Sequence, residues 1–201
     1  MRSSIEPARA WWLISALAAA GALAAQAIDP AALRWQPELA LRQPWRAITA
    51  AWVHFSALHL GANLLGTALV AALGVVAGCG RRAALAWALA WPLTHLALLA
   101  QPALNAYGGL SGVLHAGVAV AVWQLLRAER GLRRAIGAAL AVGLLLKLGL
   151  EAPWQGPLRQ VSGWDIAIAP LAHATGAAAG IVCALACGVG GDADPHPGAG
   201  P

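Results

Sequence analysis

The chain has 201 residues, of which 60% are hydrophobic and only 10% charged. A water-soluble domain of this length carries roughly 25% charged residues, so there is too little polar surface here to cover a soluble globule. The composition predicts a polytopic α-helical membrane protein forming one domain. Ala- and Leu-rich apolar runs without strand-like alternation argue against a β-barrel. The net charge of +5 falls between the apolar runs, where it reads as a set of topology signals and not as a nucleic-acid surface.

The first apolar segment, Trp11 to Ile28, follows Arg2 and Arg9. A basic start and an apolar core also suit a signal peptide, but the run is as long as a bilayer span and further spans follow, so it reads as a retained helix. Asp29 to Pro44 carries Pro30, Pro37 and Pro44 and the isolated Trp35. Prolines break helices and Trp favours the membrane interface, so this is a connecting loop at the outer interface. A second span covers Ala57 to Gly78. His59 and Asn63 sit i, i+4 near its start and share one face. The basic turn Gly78 to Arg82 leads into a third span, Ala83 to Ala100, which contains Pro92 and His95.

The stretch Gly108 to His115 follows a chargeless turn and opens the fourth span, Ser111 to Leu126. Sixteen or so residues at ~1.5 Å each reach only about 24 Å, against a hydrocarbon core of ~30 Å. Ser111 therefore begins below the surface, where a water-filled cavity can reach it. A hydroxyl there is costly without a task or a partner. Arg127, Arg130, Arg133 and Arg134 form the strongest basic cluster, and a fifth span runs from Ala135 to Leu150. Lys147 and Glu151, i, i+4 at its end, read as a local ion pair or as snorkelling side chains. After a Pro- and Gly-containing loop, Pro170 opens a sixth span that continues to Cys187. His173 lies in its first turn, with Gly176 and Gly180 on the same face, where glycines let another helix approach.

The expected fold is an all-α, six-transmembrane-helix bundle over residues 1–187, followed by a disordered cytoplasmic tail over 188–201. Lys and Arg are richer at the amino terminus and in the second–third and fourth–fifth turns than in the alternate loops, so both termini are expected inside. The second, fourth and sixth spans then all begin on the outer side. Ser111, His59, Asn63 and His173 fall at similar depth, although nothing in the hydropathy required it. Cys183 and Cys187, also i, i+4, are read as small packing residues and not as metal ligands. No metal and no cofactor is expected.

A serine hydroxyl becomes nucleophilic when a base takes its proton. His173 is the best-placed base, and the positive end of its helix dipole helps to keep the ring neutral. With no Asp or Glu assigned to that depth, the sequence reads as a Ser–His dyad and not as a triad. Backbone N–H at the start of the fourth span, with His59 and Asn63, can donate to an oxyanion.

With these residues in view the chain resembles the rhomboid intramembrane serine proteases. The resemblance rests on Trp45-Arg46 with Thr49, on His54, His59 and Asn63, on Gly109-Leu110-Ser111-Gly112, and on Ala172-His173 through Gly180. It implies Ser111 as nucleophile, His173 as general base, and an oxyanion hole of His59, Asn63 and the Ser111 N–H. His54, Gly109, Gly112, His115, Gly176 and Gly180 would be supporting residues. A narrower resemblance, carried by Leu110 to His115 and Lys147 to Glu151, is to the rhombosortases. These are bacterial inner-membrane proteases that cut single-span proteins bearing a carboxy-terminal GlyGly anchor, with the site open to the periplasm. Many rhomboids carry Tyr where His115 stands, stacked on the catalytic His. Two features depart from the patterns: no Glu stands between Ala71 and Gly78, and Ala174 follows His173 where rhombosortases often have a bulkier residue. The competing readings are a rhomboid protease with other membrane substrates, an inactive client-binding relative, a small transporter and a structural bundle. The first two share the fold. Ser and His both being present argues against an inactive relative. A transporter needs a polar path across the bilayer, whereas these polar residues cluster at one depth. A structural bundle leaves the agreement of the motifs unexplained.

Overall fold

A computed structural model describes residues 8–127 and 131–190. Its regular elements are helices, joined by two isolated β-bridges, Trp35 with Tyr107 and Arg159 with Ile168. In chain order they are α1 (Arg9–Ala24), the short α2 (Pro30–Leu33) and α3 (Arg46–Thr49), α4 (Ala57–Ala77), α5 (Arg81–Leu96), α6 (Ser111–Leu126), α7 (Leu132–Glu151) and α8 (Pro170–Ala186). Short 3-10 turns continue α1 to Ala27 and α5 to Ala100.

Local chemistry sets the ends. The Ser56 hydroxyl accepts the His59 N–H at 3.0 Å and caps α4, which stops where Gly78 takes a left-handed conformation (φ 70°). Pro170 occupies the first turn of α8. With their extensions, α1, α4 and α5 are long and apolar enough to cross a membrane; α6 and α8 are shorter apolar helices. α7 has 20 residues but carries Arg133, Arg134, Lys147 and Glu151.

α6 is the centre, packed by α4, α5, α7 and α8. Its buried residues run right round the helix, from Gly112 and Val113 to Val122 and Leu125, as expected of a helix enclosed by others. The closest seam is with α8. A Cβ at Gly176 would run into the Gly112 carbonyl, and one at Gly112 would lie 2.7 Å from the carbonyl oxygen of Ala172. One turn deeper, a Cβ at Gly180 would lie 2.5 Å from the Ala116 carbonyl oxygen. Close approach of small residues supplies dispersion contacts where lipid gives helices no hydrophobic reason to associate.

Four indoles fasten segments distant in sequence. The Nε1–H of Trp11 donates to the Val70 carbonyl (3.1 Å), that of Trp87 to Val113 (2.8 Å), that of Trp91 to Ile48 (3.0 Å) and that of Trp123 to Val189 (3.0 Å). Trp11 fills the notch left by Gly74, and its ring meets Trp87 with centroids 4.5 Å apart.

The long connection between α1 and α4 is built into the bundle, which corrects the reading of Trp35 as an interfacial residue. Its side chain is fully buried, and its backbone pairs with Tyr107. The Arg46 guanidinium holds the same connection by donating to the Ala31 (2.9 Å) and Arg34 (2.7 Å) carbonyls. Of the expected tail, residues 188–190 are described, and Val189 is buried; Arg2, Arg130 and residues 191–201 lie outside the described residues.

Candidate active site

The segment before α6 is held in an extended path by its neighbours. Tyr107 exchanges backbone hydrogen bonds with Trp35 (2.8 and 3.0 Å), and the Gly109 N–H donates to the Ala50 carbonyl (2.9 Å). The Tyr107 hydroxyl donates to the Gly109 carbonyl at 3.1 Å, and burial pushes this phenol up from its ordinary range. Gly109 has φ 134°, which L side chains rarely adopt, and a Cβ there would lie 2.8 Å from His59 Nε2. The glycine lets the chain pass His59 and turn into α6, so that Ser111 is its first residue.

Ser111 is half-buried, and its Oγ lies 2.9 Å from Nε2 of His173, the fourth residue of α8. The α6–α8 seam, with its glycine at Gly176, carries this approach. The matching notch in α6 is Gly112, the residue after Ser111, and not Ser111 itself. His115 stands one turn further along α6. Its ring stacks on that of His173, with centroids 4.3 Å apart and planes 14° from parallel. Its Nδ1–H donates to the Ser111 carbonyl at 2.6 Å.

His59 and Asn63 approach from α4. Both are buried and both face Gly109, the Asn63 Nδ2 lying 3.8 Å from where a Cβ of Gly109 would stand. That Nδ2 has no hydrogen-bond partner among the described residues. His59 Nδ1 accepts the Phe55 N–H at 3.4 Å, so in the neutral ring the proton sits on Nε2, the atom turned to Gly109. His54 lies behind His59, with ring centroids 4.8 Å apart, and donates from Nδ1 to the Trp52 carbonyl at 3.1 Å. Burial holds its pKa below the ordinary histidine value. Gly180 belongs to the seam a turn below the hydroxyl and does not approach it. His95, which carries no role in the sequence reading, is fully buried, with Nδ1 2.7 Å from the Ala47 carbonyl.

Two contacts go beyond what the sequence predicts. Glu151 Oε2 lies 2.7 Å from His173 Nδ1, on the ring edge opposite Ser111. This corrects the reading that no carboxylate stands at this depth. Glu151 does pair with Lys147 as expected, through Oε1, but a carboxylate has a second oxygen. The end of α7 is an outer end in the predicted topology, at the level of His173, and that is the signal by which sequence reasoning could have found it. The second contact is Ser56, whose hydroxyl donates to Asp165 Oδ1 at 2.8 Å and ties the loop between α7 and α8 to the start of α4.

Oxygen, imidazole and carboxylate thus lie in a row, and an unpaired amide donor faces Gly109, two residues before the serine. Such a constellation suits acyl transfer. A family model described as the rhomboid domain matches residues 41–189. No curated protein matches the chain significantly.

Proposed function

This chain belongs to the rhomboid family, and we propose that it is an intramembrane serine endopeptidase with Ser111 as nucleophile and His173 as general base. The family is one of intramembrane serine proteases, and with its long apolar helices the chain is a multi-pass membrane protein. The observation that carries the reading is the 2.9 Å approach of Ser111 Oγ to His173 Nε2. In the proposed reaction Oγ attacks a peptide carbonyl carbon while its proton passes to Nε2. The new oxyanion receives hydrogen bonds from the Ser111 N–H, His59 Nε2–H and Asn63 Nδ2–H. Collapse breaks the C–N bond, and His173 returns the proton to the leaving amine. Water, activated by the same ring, then cleaves the acyl ester and restores Ser111.

In this reading α1, α4, α5, α6, α7 and α8 all span the membrane, with both termini cytoplasmic and the site open to the periplasm of a bacterial inner membrane. Two features support that orientation. The site gathers the starts of α4, α6 and α8 with the end of α7, and the basic turns at Arg81 and Arg133 lie at the other ends of these helices. Substrates are single-span membrane proteins. His115 stacked on His173, together with the Lys147–Glu151 stretch, favours rhombosortase-like substrates with a carboxy-terminal GlyGly anchor.

The test is cleavage, in liposomes, of a single-span reporter carrying GlyGly before an apolar helix and a basic end. The wild type is expected to cut it and Ser111→Ala to leave it intact. Cleavage by Ser111→Ala would overturn the protease assignment. Equal cleavage of a reporter with LeuLeu in place of GlyGly would remove the rhombosortase-like specificity alone.

A further inference from the structure

We propose that Glu151 is a positioning residue for the base, so that the chain works through a Ser111–His173–Glu151 row in place of a dyad. The inference rests on the protease reading above and goes beyond it. Glu151 comes from a different helix, 22 residues before His173, and its Oε2 meets the buried ring at 2.7 Å. Its other oxygen is taken by the Lys147 ammonium, one turn back on α7. The carboxylate is therefore held by both oxygens, one to each partner.

The backbone around Glu151 is built to deliver it. α7 ends there because Ala152 adopts a left-handed conformation (φ 48°), the one positive-φ residue other than glycine among the described residues. The Arg159 guanidinium donates to the Leu150 carbonyl at 2.7 Å. Arg159 also exchanges both backbone hydrogen bonds with Ile168 at 2.9 Å, two residues before α8 begins. The end of α7 is thus tied to the lead-in of the helix that carries His173.

A carboxylate accepts and cannot donate, so the ring proton must sit on Nδ1. That leaves the Nε2 lone pair facing Ser111, the tautomer a general base requires. When the Ser111 proton arrives, the imidazolium has a counter-charge already in contact. Glu151 holds the edge of the ring while His115 covers its face. The cost of losing an orienting carboxylate comes mostly from the wrong tautomer, roughly 10⁴-fold in kcat in the serine-protease template. Glu151 is partly open to water, with a side-chain exposure of 17%, so a smaller loss is expected here.

A fluorophosphonate probe tests this on the purified full chain without knowledge of the substrate, since Oγ attack on phosphorus expels fluoride and sends the hydroxyl proton to His173. The rate of labelling at saturation, the probe concentration for half that rate and the thermal unfolding temperature are measured together. Glu151→Gln keeps the shape of the side chain. Lys147 will select the amide oxygen and leave the NH2 group facing Nδ1, which inverts the tautomer. The saturating rate should fall about 10²–10³-fold with the half-saturation concentration nearly unchanged. Glu151→Asp should retain more rate than Glu151→Gln. The double variant Glu151→Gln with Lys147→Met frees the amide to turn and should recover part of the loss.

A wild-type saturating rate in Glu151→Gln, with Ser111→Ala unlabelled, would overturn the positioning role and leave the protease standing. So would a loss confined to the half-saturation concentration, or one that tracks a fall in unfolding temperature and is not relieved in the double variant. Labelling that persists in Ser111→Ala would remove the protease reading and this inference with it.

Discussion

α8 and α7 both pack on α6, but to different extents. α8 meets α6 backbone to backbone, through glycines whose Cβ atoms would have no room. α7 buries only Gly137 among its 20 residues, while Leu132, Val142, Leu145, Leu146 and Leu150 stand exposed. It touches α6 closely at Gly137, where a Cβ would lie 2.8 Å from the Leu125 Cβ, and beyond that contact it is held at its ends. Arg133 donates to the Ala77 carbonyl at one end, and Glu151 and Leu150 are gripped at the other. Ser111 and His173 therefore inherit their separation from a rigid seam, whereas Glu151 arrives on a helix steered by polar contacts. The same residue type means different things in the two places. The α8 glycines facing α6 are a steric requirement all along the seam, whereas on α7 that holds at Gly137, and a methyl group added at Gly143 or Gly149 would meet nothing within 4 Å.

Several substitutions sharpen that contrast. The largest effect is expected from Gly176→Ala, which must push α8 off the Gly112 carbonyl. It should cost about 1–3 kcal/mol of stability, as overpacking does. A shift of about 1 Å between Ser111 and His173 should cost the proposed cleavage about 100-fold or more. Unfolding in mixed micelles and reporter cleavage measure the two, and a wild-type result in both would dissolve the idea of a rigid seam. Asn63→Ala removes a donor that has no hydrogen-bond partner among the described residues, so the fold should be unaffected while cleavage drops roughly 10²–10³-fold. An unchanged single-turnover rate would remove Asn63 from the proposed oxyanion hole.

A smaller loss, about tenfold, is expected for His115→Ala, which uncovers the face of the His173 ring. His115→Tyr keeps a flat ring there and should retain most activity at similar expression. If the two variants cleave the reporter alike, stacking does not orient the base. The smallest effect belongs to Gly143→Ala on the open side of α7, within about 0.5 kcal/mol in stability and with cleavage unchanged. A loss as large as that of Gly176→Ala would mean that α7 is packed as tightly as α8.

Most of the fold is legible in the sequence because membrane helices announce themselves residue by residue. The span opening at Ser111 is placed at both ends, and Gly78 and Pro170 mark boundaries through their own backbone chemistry. The closeness of Ser111 and His173 follows from periodicity and depth, and the stacking of His115 on His173 from the rhomboid resemblance. What escapes is pairing between remote segments. Trp35 looks interfacial because its partner, Tyr107, lies 72 residues away in an uncharged loop with no periodic pattern. Glu151 looks satisfied because an i, i+4 partner explains its charge, and a local explanation hides a remote contact made by the second oxygen.

The four indole staples set an order on how the protein is made. A ribosome delivers the chain from the amino end, so the Trp91 staple closes on Ile48, a residue already in place. The other three wait for later carbonyls: Trp87 for Val113, Trp11 for Val70 and Trp123 for Val189. The central helix is thus fastened near its start soon after it emerges, and near its end only when Val189 has been added. A nascent chain stopped short of that residue already holds its serine near the start of α6, but the far end of that helix is still without its last fastening.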